Sequence, residues 1–137
     1  MEKSRKHSRD ETPAQPVQQA AQPPPEVYLP MKPVDFMVLM ALLQQPRHGY
    51  GIVKDIEEQS RGQVKMMPGN LYAILRRLMK DGLLEESERL PSSDEDQRRR
   101  YYRITDTGRG VAAAEARRLR HLVSSAESAE LIGREEA

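Results

Sequence analysis

The sequence predicts a mainly α fold with a small β-hairpin, an α+β chain, and three observations predict it. Leu71, Ile74, Leu75 and Leu78 fall at i, i+3, i+4 and i+7, one apolar stripe on a helix. Two β-type runs, residues 83–90 and 99–105, follow with a turn-rich loop between them. A closing run over residues 106–131 keeps small and apolar side chains at 4-3-4-3 spacing.

A chain of 137 residues allows one domain with an adequate core. Without cysteine it has no disulfide framework, no thiol nucleophile and no Cys-based zinc site. The longest apolar run, residues 36–43, is too short to span a bilayer. No hydrophobic segment opens the chain as a signal peptide would, so no membrane association and a cytoplasmic location are expected. His7, His48 and His121 are isolated from one another and from metal-type spacing, and Gly108-x-Gly110 lacks the rest of a nucleotide fingerprint. No enzyme activity, metal or cofactor is expected. Net charge is +1, but residues 61–104 carry ten Lys/Arg against seven Asp/Glu, so the cationic excess sits around one helix and the hairpin.

Residues 1–30 are Pro/Gln-rich and aperiodic, with Pro23-Pro24-Pro25 blocking both helix and strand ladders, and read as a disordered tail. Its cations Lys3, Arg5, Lys6 and Arg9 are offset by Glu2, Asp10, Glu11 and Glu26. The folded domain is expected over residues 31–105. Pro33 suits a first helical position, and the apolar run over 34–43 predicts a largely buried helix ending by Pro46. A second helix is expected over 49–59, with Tyr50, Val53 and Ile56 inward, broken by Ser60-Arg61-Gly62. Residues 63–67 read as a short extended piece with Val64 turned in. Pro68 then opens the third helix and Gly82 supplies its left-handed stop. At 100° per residue, Arg76, Arg77 and Lys80 project away from its apolar stripe.

In the hairpin, Tyr102 and Ile104 alternate with Tyr101 and Arg103, as in a half-buried strand. Arg98, Arg99 and Arg100 lead that strand. Thr105 suits an N-cap for the long helix over 106–131, and residues 132–137 read as a disordered end. Along that helix Ala112, Ala116, Leu119, Val123 and Ala126 form a seam that Leu122 widens, and so long a helix on so small a domain is expected to pair with a second copy. Helix, helix, short strand, helix, strand, wing loop, strand and long helix is the order of a winged helix-turn-helix domain with a C-terminal dimerisation helix.

The pieces resemble the PadR-like family of bacterial transcriptional regulators. They are Leu42-Leu43, His48-Gly49-Tyr50-Gly51, Pro68-Gly69-Asn70-Leu71-Tyr72, Leu75-Arg76-Arg77-Leu78, Asp81-Gly82-Leu83-Leu84, and Arg100-Tyr101-Tyr102-Arg103-Ile104-Thr105 with Gly108. The similarity covers roughly residues 34–122, and the single helix after the wing is similar to the small members. The resemblance implies a homodimer on double-stranded DNA, bound at an inverted-repeat operator as a repressor that a small-molecule effector or stress signal releases. By position it sets Lys65, Asn70 and Tyr72 at the DNA-facing end of the third helix, and Arg98, Arg99 and Arg100 on the backbone or minor groove. Asn70 is the candidate for base readout, because its amide can both donate and accept at adenine. Arg76, Arg77 and Lys80 are the phosphate candidates. Two features depart from the pattern: Asp94-Glu95-Asp96 at the wing tip, which should repel phosphate, and the Pro/Gln-rich tail. The competing reading is a winged-helix interaction module whose basic face binds an acidic protein.

Overall fold

The computed structural model describes residues 23–88 and 100–134. The wing tip, with Arg98, Arg99 and the Asp94–Asp96 acids, lies outside the described residues, as do residues 1–22 and 135–137. The element order is a 3-10 turn (Pro25–Tyr28), α1 (Pro33–Ala41), β1 (Arg47–His48), α2 (Gly49–Gln59), α3 (Pro68–Lys80), β2 (Leu84–Ser87), β3 (Tyr101–Ile104) and α4 (Asp106–Ser128). The architecture is the expected winged helix-turn-helix.

The local signals act as their chemistry requires. Pro33 and Pro68 sit in the first turns of α1 and α3, where a missing N–H costs nothing. Gly82 ends α3 at φ +80°. The Leu83 N–H then donates to the Leu78 carbonyl at 2.9 Å and the Gly82 N–H to Met79 at 3.0 Å, which satisfies the last carbonyls of the helix. Leu71, Leu75 and Leu78 are fully buried beside Ile52 and Ile56 of α2 and Val38 and Leu39 of α1, and this is the centre of the core. The inward line of α2 is therefore Ile52–Ile56. Tyr50, expected on it, is 63% exposed, because the i, i+4 pair faces α3 and turns Tyr50 outward. Residues 63–67 form no strand, although Val64 does pack against the core.

The sheet has three antiparallel strands in the order β1-β3-β2, rather than the hairpin alone. β1 lies along the free edge of β3, pairing Arg47 with Tyr102 and His48 with Tyr101. That cover explains why Tyr101 is buried as well as Tyr102, where strict alternation would leave it outside: the His48 ring meets it edge-on at 5.3 Å. Across the other edge Arg103 pairs with Glu85 at 2.7 Å and Arg100 with Glu86 at 2.8 Å.

α4 begins on the sheet. The Thr105 hydroxyl accepts the Gly108 N–H at 3.0 Å and donates to the Gly82 carbonyl at 2.7 Å, so one side chain caps α4 and fastens the turn after α3. The first half of α4 is core: Gly108, Val111, Ala112, Ala114 and Glu115 are buried. The packed chain also starts earlier than Met31. The 3-10 turn lies on α4, Tyr28 and Leu29 pack against the core, and the Tyr28 hydroxyl donates to the Asp81 carbonyl at 3.5 Å. The prolines that argue against helix or strand are compatible with such a turn.

Glu115 is 2% exposed and accepts two hydrogen bonds from the Arg118 guanidinium, at 2.8 and 2.7 Å. These bonds hold its carboxyl below the usual glutamate range, with burial opposing and the Met31 N–H assisting. A lowered folded pKa contributes stability that is present above the usual range and lost as pH falls through the lowered value. Thermal midpoints of the wild type and Glu115→Gln, measured against pH, should therefore differ at neutrality and converge in acid.

Candidate nucleic-acid interface

α2 and α3 form the helix-turn-helix pair, and one side of α3 is left open by the packing. The open line runs through Gly69, Tyr72, Ala73, Arg76 and Lys80, all exposed, opposite the buried leucines. Lys65 is exposed in the loop before α3. Asn70 is exposed in the first turn but lies a flank round, on the same side of the helix as Arg77.

Arg77 requires a correction. The sequence groups it with the free cations, but its guanidinium donates to both carboxylate oxygens of Asp35 on α1, at 2.8 and 3.3 Å. The Asp35 side chain is only 9% exposed and Arg77 44%. The hydrogen bond to Asp35 raises the Arg77 pKa further, so the guanidinium stays charged. Its role is to satisfy a buried carboxylate and fix α3 on α1, which removes it from the phosphate-contacting set.

The start of α2 borders the same open side. His48 is its N-cap: the imidazole Nδ1 accepts the Gly51 N–H at 3.1 Å. Its ring stacks on Tyr50 at 6.3 Å, and the Lys54 ammonium sits 5.8 Å from the Tyr50 ring centre. A cap histidine is not legible in the sequence, because the residues that signal a cap are Ser, Thr, Asp and Asn. A cleft of about 550 Å³ opens between the first turn of α2 (Gly49, Tyr50), the outer side of α3 (Tyr72, Arg76) and the start of β3 (Arg100, Tyr102). Arg100, held by Glu86, is the part of the arginine-led wing that the described residues include. Tyr72 is 47% exposed, so it is a surface residue of this cleft as well as a neighbour of the apolar stripe.

The seam expected on α4 divides in two. Ala112, expected on the seam, is buried in the domain's own core. Beyond Glu115 the helix leaves the domain: Ala116 is exposed, Leu119 and Ala126 are half-buried, and Leu122 and Val123 are exposed large apolar side chains. No helix among the described residues is long and apolar enough to cross a membrane.

A sequence model of the transcriptional regulator PadR-like family matches residues 38–114, which span both helices of the pair, the wing strands and the first turns of α4. Among solved structures the fold is similar to a transcriptional regulator from Clostridium thermocellum. That match has a TM-score of 0.58 and 22% identity, over 85% of this chain and 96% of that one. It is also similar to a PadR family transcription regulator from Clostridium difficile, with TM-score 0.59 and 20% identity over 69% and 95% of the two chains. A third similarity is to Bacillus subtilis PadR in complex with operator DNA, with TM-score 0.50 and 20% identity over 62% and 47%.

Proposed function

The chain belongs to the transcriptional regulator PadR-like family, a family of regulators rather than enzymes, and from that membership we propose a dimeric repressor that binds an inverted-repeat operator. The observation that carries this reading is the open side of α3, where Arg76 and Lys80 stand exposed opposite the buried leucines and Arg76 shares a cleft with Arg100. In this reading the first turn of α3, with Asn70 and Tyr72, enters the major groove and contacts base edges. Lys65, Arg76, Lys80 and the wing arginines Arg98, Arg99 and Arg100 approach phosphates, adding affinity that is independent of sequence and sensitive to salt.

The free half of α4 supports the dimer. Leu119, Leu122, Val123 and Ala126 share one face, with Leu122 and Val123 exposed and Leu119 and Ala126 half-buried, and a second copy of the same face would bury it symmetrically. Two α3 helices related by that axis then meet half-sites one helical turn, roughly 34 Å, apart. A small-molecule effector would act by changing the angle between the two domains.

A gel shift on the gene's own upstream region, run at two salt concentrations beside an unrelated duplex, tests the reading. The expected result is a discrete complex that prefers the upstream region and weakens as salt rises. Equal, weak binding to both duplexes would favour the acidic-protein partner instead.

A further inference from the structure

The Tyr102 side chain has no partner to match its burial. The residue is 4% exposed, yet among the described residues its hydroxyl makes no hydrogen bond. A hydroxyl at a cleft wall that no group of the chain engages is free to donate to whatever enters the cleft. Tyr102 lines the cleft with Tyr72, Arg76 and Arg100, and its phenol interacts electrostatically with Tyr72, Glu86 and Arg100. Burial pushes its phenol up, Tyr72 and Glu86 add to the rise and Arg100 opposes it, so at neutral pH Tyr102 stays an O–H donor.

The surroundings of that donor select an anion. The N-terminal end of α2 carries partial positive charge at Gly49, and Arg76 and Arg100 stand on opposite walls of the cleft. Among the described residues Glu86 is the acid in reach, and it is occupied by Arg100. Both partners of that pair are largely exposed, so it is worth little and Arg100 can turn to a stronger acceptor. A phosphate offers several acceptor oxygens at once, enough for two guanidinium groups and a phenol. The cleft is larger than a bare phosphate needs and falls within the roughly 300–1,000 Å³ of small-ligand sites. The exposed rings of Tyr50 and Tyr72 give the surplus space an apolar wall suited to a sugar.

We propose that this cleft seats one sugar-phosphate group, with the Tyr102 hydroxyl donating to the phosphate between Arg76 and Arg100. The same chemistry has two sources, the backbone of a bound duplex and a free nucleotide. The first source rests on the DNA-binding reading above and the second does not.

The test is Tyr102→Phe, which removes one oxygen and keeps the ring. The seat predicts an unchanged or higher thermal midpoint, because no internal hydrogen bond is lost. It predicts duplex affinity about tenfold weaker on the upstream region and the unrelated duplex alike, the usual scale of a hydrogen bond to a charged group. The salt slope should stay the same, because the hydroxyl is neutral. Titration of the wild type and the variant with adenosine 5′-monophosphate, followed by NMR, separates the sources. Duplex binding that depends on Tyr102 without nucleotide binding assigns the seat to the DNA backbone. Nucleotide binding that the variant loses assigns it to a free ligand. If the wild type binds no duplex, the DNA reading fails while the nucleotide titration still decides the seat. A variant within twofold of the wild type in both assays overturns the proposal. A variant that unfolds overturns it too, because the hydroxyl would then be serving the fold.

Discussion

Gly108→Ala should lower stability by about 3 kcal/mol or more, at the upper end of what overpacking a core costs. A Cβ at this position would stand 2.0 Å from the Leu83 carbonyl oxygen, 2.8 Å from the Ile104 Cγ1 and 3.0 Å from the Leu83 carbonyl carbon. Two of those three atoms are backbone and cannot step aside by changing rotamer. The Leu83 carbonyl is also engaged, since it accepts the Thr105 N–H at 3.1 Å. Moving the first turn of α4 away would break that bond and disturb the Thr105 cap. The sign of the effect is informative, because replacing glycine by alanine inside a helix ordinarily stabilises by about 1 kcal/mol. Gly110, further along the same helix, serves as the control: a Cβ there meets only the Pro25 ring, at 3.9 Å. Thermal denaturation should show Gly108→Ala falling by about 10 °C or more while Gly110→Ala holds or rises. Equal effects at the two positions would mean that α4 does not rest on the sheet as described.

Arg77→Ala has the second largest expected effect, and it falls on stability rather than on DNA. The substitution leaves the Asp35 carboxylate, 9% exposed, without its partner. Removing one member of a buried pair costs about 3–5 kcal/mol, and the half-exposed guanidinium places this pair lower, at about 2–3 kcal/mol. A double variant, Asp35→Leu with Arg77→Met, should recover most of the loss by replacing the pair with apolar packing. Salt dependence of duplex binding should be the same in Arg77→Met/Asp35→Leu as in the wild type, because Arg77 does not release counterions in the complex. A shallower slope would return Arg77 to the phosphate set. Chemical denaturation and a salt titration on the same samples decide between the two roles.

The sequence discloses those elements whose signals are local. α3 is legible from end to end because Pro68, the four-residue apolar stripe and Gly82 act within one segment. The Thr105 cap is legible for the same reason. What stays hidden depends on partners far along the chain. β1 is two residues long and exists only because β3 offers it an edge, and Tyr101 is buried by that same pairing. Arg77 lies 42 residues from Asp35, so nothing in its own helix separates it from Arg76. Ala112 keeps the spacing of a seam, yet the domain core and the free face of α4 are one continuous stripe, and spacing does not mark where one ends. His48 caps α2 and lines the cleft with Tyr102, an arrangement that the fold makes and composition does not show.

On the reading developed above, the open side of α3 faces a duplex. The most direct measurement is the salt dependence of affinity for the gene's own upstream region, compared between the wild type and Arg76→Ala/Lys80→Ala. These two side chains are exposed and lie opposite the buried leucines, so their removal should leave the fold intact. The expected result is a log–log slope shallower by about two with the base preference retained, one unit for each phosphate that the variant no longer neutralises. An unchanged slope, with the complex still formed at wild-type affinity, would contradict it.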